Sequence, residues 1–198
     1  MRNQKDRLMP RAALWALPMC LALLTGACGE FGKVEQGRVI SYNKKTGEIT
    51  LIRDSSPATT AKARYDGLPP LRVKIPADPD EMGPEPQAGK LMRVDLQNQE
   101  LVIYDAAAQQ FRAITYSPLA ERHNVAKGTG LPAVDKVKRT ITVYSAAEKA
   151  AITFQASDEL LAMPADTWKT GDEVRYYFKD PGQALRMMNL TKTDLSKS

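Results

Sequence analysis

The chain has only two cysteines, Cys20 and Cys28, and none after position 28. The body that follows can form no disulfide, no thiolate metal site and no cysteine nucleophile. It must hold together by core packing alone. Histidine is as scarce: His123 is the only one, so a Ser–His nucleophile would have to use it. No G-x-S-x-G, no H-E-x-x-H and no phosphate-cradling glycine loop occurs. The uncharged run before the second cysteine, Ala12 to Ala27, falls short of the ~20 apolar residues of a membrane span and contains Pro18. These absences point away from an enzyme: no catalytic residue and no cofactor is expected, because a site needs several convergent groups and none is signalled.

What is present begins with an address. Arg2, Lys5, Arg7 and Arg11 precede the uncharged run, and small residues end it at Leu24-Thr25-Gly26-Ala27-Cys28. A basic start, a short apolar run and small residues before the break make a secretory leader over residues 1–27. The last five residues resemble a bacterial lipobox, with Thr25 where leucine is usual. The resemblance implies cleavage before Cys28 and lipid on its thiol. Gly29 after the cysteine is similar to enteric lipoproteins of the outer membrane. The expectation is a protein on the periplasmic face of that membrane, held by its lipid and meeting an envelope protein partner.

Removing the leader changes the charge. It holds four basic residues and one acid, so 24 basic and 22 acidic residues remain, a net charge of +2. Such a balance gives no footprint for nucleic acid, although Arg175, Tyr176, Tyr177 and Phe178 could imitate a base-stacking strand.

Within the body, short β-patterned runs dominate. Arg38–Tyr42 and Glu48–Ile52 flank a loop ending in Gly47, the mark of a hairpin. Residues 54–70 and 76–88 read as loops, the second rich in proline and acid. Leu71–Ile75, Met92–Leu96, Leu101–Tyr104 and Phe111–Tyr116 follow as strands, then a linker over residues 117–132. Thr140–Tyr144, Ala151–Phe154, Glu173–Phe178 and Ala184–Thr191 complete the pattern. Ser157 to Met163 reads as a short helix capped by Ser157 or Asp158.

The two halves echo each other. Ile49-Thr50-Leu51 matches Ile141-Thr142-Val143, Val73-Lys74-Ile75 matches Ile152-Thr153-Phe154, and the strand led by Gly89 matches the one led by Gly171. The order of strands suits an all-β protein of two tandem small OB-like β-barrels, with a β-sandwich or one barrel shared between the halves as alternatives. The division is a leader over 1–27, a tether over 28–36, a first repeat over 37–116, a linker over 117–132, a second repeat over 133–192 and a tail over 193–198. The second half, with Ile141-Thr142-Val143 and later Gly171-Asp172-Glu173-Val174, resembles small OB-like periplasmic modules. The whole body is similar to an uncharacterised lipoprotein family of sulfate-reducing bacteria, which implies address and fold but no activity.

OB-type copper carriers bind through His, Met and Trp. The residues of that kind here are His123, Met163, Trp168, Met187 and Met188, and soft thioethers suit Cu(I). No W-x-x-M-x-M pattern joins them, and adjacent Met187 and Met188 would face opposite sides of a strand. Methionine packing a core is the plainer explanation, so no metal is expected and a metal or small-ligand carrier is the alternative. Asp78, Asp80 and Gly83 match part of a calcium loop, but Met82 and Gly89 stand where ligands are needed. The expectation is a membrane-anchored binding or scaffolding module without enzymatic activity. Its partner contacts would lie in residues 54–70 and 76–88.

Overall fold

The protein is all-β. The structure, a computed structural model, describes residues 31–56, 63–126 and 130–193; the leader and Cys28 lie outside the described residues. The elements are β1 (Lys33–Asn43), β2 (Glu48–Asp54), β3 (Tyr65–Lys74), β4 (Leu91–Asp95), β5 (Glu100–Asp105), β6 (Gln110–Thr115), β7 (Pro118–Arg122), β8 (Ala133–Asp135), β9 (Thr140–Ser145), β10 (Ala150–Gln155), α1 (Asp158–Ala162), β11 (Glu173–Phe178) and β12 (Arg186–Asn189). They form three open sheets, in the orders β12-β11-β1-β2-β3, β4-β5-β6 and β7-β10-β9-β8. None closes into a barrel, and the packing of sheet on sheet is sandwich-like.

Most hairpins share one turn. Asn43, Asp95, Asp105, Asp135 and Ser145 each accept backbone N–H bonds from residues two or three further on. Four residues after each of them stands one with positive φ: Gly47, Gln99, Gln109, Arg139 and Lys149. An Asx or Ser side chain bonds the chain into the bend, and the last turn residue reverses it. Glycine marks only the first of these turns, so polar residues carry the left-handed conformation in the rest.

Alternation then sorts side chains into layers. Leu101 and Ile103 of β5 face Ile141, Ile152, Phe154 and Trp168 beneath the four-stranded sheet. Their neighbours Val102 and Tyr104 face the other way, onto Ile40, Ile52 and Tyr65 of the five-stranded sheet. The sheet β4-β5-β6 is therefore the middle layer. The opposite face of the five-stranded sheet buries Val39, Ile49, Leu51, Val73, Tyr176 and Met187.

The five-stranded sheet takes β1, β2 and β3 from the first half of the chain and β11 and β12 from the second. Conversely, β4, β5 and β6 share a core with β9, β10 and α1. The Gly171-led strand thus joins the sheet of the first half, the Gly89-led strand packs on the core of the second, and residues 32–198 form one compact unit. The chains cross at the two glycines. A Cβ on Gly171 would stand 1.9 Å from the Val39 carbonyl oxygen, and one on Gly89 2.2 Å from that of Lys169. The close approach is used for bonding: Gly89 N–H donates to Val39 O at 3.1 Å, Val39 N–H to Asp172 O at 2.9 Å, and Leu91 N–H to Lys169 O at 3.0 Å.

The register corrects one of the sequence matches. Ile49 lies opposite Val73, and Ile141 lies opposite Phe154. Val73 therefore corresponds to Phe154, not to Ile152. A shift of two residues keeps the in–out pattern, so periodicity cannot detect it. Three boundaries also differ from the sequence reading. β1 starts at Lys33, inside the expected tether, because Lys33–Arg38 pair with β11. β3 starts at Tyr65, with Pro69 and Pro70 tolerated because it is an edge strand. The expected linker contains β7, which pairs with β10 but buries almost nothing and so carries no apolar signal. Helix α1 and its Ser157 cap are as expected.

Candidate functional site

A cleft of about 1380 Å³ runs along β4. One wall is β4 and the turn after it, Leu91 to Gln97. The other holds Leu131, Pro132 and the β9–β10 turn, Tyr144 to Glu148. Its inner end is the glycine crossing at Lys169–Gly171, with Trp168 beside it. Among the described residues β4 pairs with β5 alone and β8 with β9 alone, so each is an edge strand there.

Arg38 organises the end nearest the five-stranded sheet. It sits on β1 opposite Glu173. Its Nη2 donates to Glu173 Oε1 at 2.7 Å and its Nη1 to the Met92 carbonyl at 2.6 Å. The guanidinium lies 4.3 Å from the centre of the Tyr65 ring, a stacking geometry suited to arginine. Gln36 Nε2 donates to the Tyr65 hydroxyl at 3.0 Å, and its Oε1 accepts from Arg175 Nη2 at 2.9 Å. Burial, reinforced by Glu173, pushes the Tyr65 hydroxyl well above the ordinary phenol pKa. Burial and the Glu35 carboxylate do the same to Tyr176.

Trp168 ends the 3-10 turn Ala165–Trp168 and is 1% exposed. Its ring meets Phe154 edge-on at 6.0 Å, and Phe154 in turn packs on Tyr116 at 5.6 Å. The indole N–H has no hydrogen-bond partner among the described residues, nor does Arg38 Nε. Both residues line the cleft.

The other charged residues along the cleft are largely matched within the protein. Arg64 pairs with Asp66 at 2.9 Å and Arg93 with Glu100 at 2.8 Å. Lys90, next to the cleft, pairs with Asp166 at 3.0 Å. The carboxylate of Asp95 serves its own turn.

The residues singled out from sequence lie apart. His123 follows β7, more than half exposed, with Nε2 3.6 Å from Glu121 Oε2. Met163 packs under the four-stranded sheet. Met187 is buried in the five-stranded sheet, whereas Met188 points outward at 42% exposure, the opposed orientation expected of neighbours on a strand. Among the described residues no three His, Cys, Asp or Glu side chains come together as a metal-holding group.

The acidic, proline-rich connection is a latch. Asp78 caps a 3-10 turn over Pro79–Glu81 through the Asp80 N–H. Glu81 grips the Arg186 guanidinium, which holds its carboxyl below the usual range. Gly83 N–H donates to Met187 O, and Asn189 Nδ2 to Pro84 O. Asp172, buried at 1% exposure, accepts from Gln87 N–H and Asn189 Nδ2 and forms an ion pair with Lys192 Nζ at 3.2 Å. The Gly-Asp pair that opens β11 thus has two structural tasks: the glycine permits the crossing, and the aspartate fastens the connection.

Arg38, Tyr65 and the β4 edge were missed from sequence. The available signal was the alternation of Met92, Val94 and Leu96 in a strand whose partner on one side is missing, and that absence is visible only in three dimensions.

The structure defines an all-β, sandwich-like protein of three open sheets with a cleft along β4. The chain belongs to the family described as a domain of unknown function, DUF4881, whose model matches residues 30–198. No curated protein and no solved structure matches it.

Proposed function

We propose that the protein is a non-enzymatic binding or scaffolding module of the bacterial envelope. Lipid on Cys28 holds it on the periplasmic face of the outer membrane. In this reading its body is a duplicated OB-like module whose halves have exchanged their Gly-led strands. The cleft along β4 carries the proposal. At about 1380 Å³ it exceeds the ~300–1,000 Å³ of ordinary small-molecule sites. Many of its charged groups are paired with each other, not aimed at a common point, which favours surface recognition over chemistry. The near-neutral charge after Cys28 favours a polypeptide over nucleic acid.

Two measurements test it. Metabolic labelling with a fatty-acid analogue should mark the chain and place it in the outer-membrane fraction, and Cys28→Ala should abolish both. Native mass spectrometry of envelope-purified protein, prepared without chelators, should show polypeptide and acyl mass alone. A stoichiometric metal or small-molecule mass would favour a carrier instead.

A further inference from the structure

The cleft is where the two halves of the molecule differ. In the five-stranded sheet, the Gly171-led strand β11 is covered on one edge by β1. Lys33 to Arg38 pair antiparallel with Phe178 back to Glu173. The Gly89-led strand β4, its match in the sequence, lies in the three-stranded sheet, where β5 is its one partner among the described residues. By the correspondence that matches Asn43 with Asp135, Lys33 falls at Val125. Val125 itself is bonded to the β9–β10 hairpin: its N–H donates to the Lys149 carbonyl, and its own carbonyl accepts from the Tyr144 hydroxyl. At the inner end of β4, Lys169 takes the Leu91 N–H and Arg38 takes the Met92 carbonyl. From Arg93 to Asp95 no further strand of the described residues pairs with β4.

We propose that this edge accepts an extended polypeptide strand of a partner protein, laid on β4 as Lys33–Arg38 is laid on β11. The proposal rests on the binding-module reading and names its ligand. An unpaired strand edge in a cleft is a template for strand addition, with main-chain bonds giving affinity and alternate side chains giving specificity. Val94, Leu96 and Leu131, each half-buried, offer apolar contacts along the walls. The rim residues Arg93, Asp95, Glu148 and Lys169 balance in sign. The strand that fits has apolar residues at alternate positions and little net charge.

The test uses the full chain purified from the envelope in detergent and random short peptides displayed on phage. Ala146→Trp and Ala147→Arg, both in the exposed β9–β10 turn on the cleft wall, obstruct the cleft without touching the core. Peptides with alternating apolar residues should be enriched on the wild type and lose affinity by about tenfold or more on either variant. The bound peptide should slow amide exchange across residues 93–97 by about tenfold or more and leave the β7 and β12 edges unchanged. Enrichment equal on wild type and both variants would overturn the proposal. So would protection at β7 or β12, which would leave the module reading intact. Amides of β4 already protected in the free chain, and exposed by dilution, would assign the edge to a second copy. A metal or small-molecule mass in the native spectrum would remove both readings.

Discussion

A few positions in this protein admit almost no alternative. Gly171 is one, because its missing side chain lets three backbones meet, and a Cβ there would overlap the Val39 oxygen at 1.9 Å. Gly171→Ala should lower unfolding free energy by about 3 kcal/mol or more, read as a reduced urea midpoint at unchanged slope. Asp172 is another. Asp172→Ala would strand the Gln87 N–H and the Asn189 amide and should cost about 2–3 kcal/mol by the same assay. Tyr65 and Tyr176 set the alkaline limit. Their folded pKa values stand above the ordinary 10.0, so the unfolded chain loses these protons first. Stability is therefore full below about pH 10 and falls as pH rises beyond it. Thermal melts followed between pH 9 and 11.5 should show that fall, and Tyr65→Phe with Tyr176→Phe should flatten it.

At the scale of elements, the repeated hairpin turn matters most. Only Gly47 was legible as a turn residue. The same bend recurs with glutamine, arginine or lysine at positive φ, announced in each case by an Asp or Ser four residues earlier. An L-residue pays roughly 1–2 kcal/mol in that conformation, against ~0.4–1 kcal/mol for the freedom glycine gains when unfolded. Gln109→Gly and Arg139→Gly should therefore raise the melting temperature by a few degrees, a net of about 0.5–1 kcal/mol, whereas Gly47→Ala should lower it. The connection over residues 76–88 reads as a free acidic loop by composition. Glu81–Arg186, Gly83–Met187 and Asn189–Pro84 instead tie it to β12. Partners this remote in sequence leave no local signature.

For the whole molecule, a sheet and a core that each draw on both halves of the chain make the halves interdependent. The first half alone would lose β11 from its five-stranded sheet, and the second would lose Leu91, Leu101, Ile103 and Ile114 from its core. Chains of residues 31–126 and 130–193 produced separately should show no cooperative thermal transition. Mixed during refolding, they should regain one, measured by circular dichroism. Two fragments that each melt cooperatively would show that the halves fold independently.

By itself, the sequence determined the β class, the short helix and its Ser157 cap, the Gly47 hairpin and the opposed faces of Met187 and Met188. Each of these follows from spacing along one strand or turn, where neighbours in sequence are neighbours in space. It also matched Gly89 with Gly171 as leaders of similar strands. That they cross each other, that β11 enters the other half's sheet, and that β4 has one strand partner among the described residues were decided by tertiary structure. Strand pairing is set by backbone hydrogen bonds, which are alike for every residue type, and by burial shared among segments far apart in the chain. A period-2 pattern says which face of a strand is wet and never which strand lies beside it.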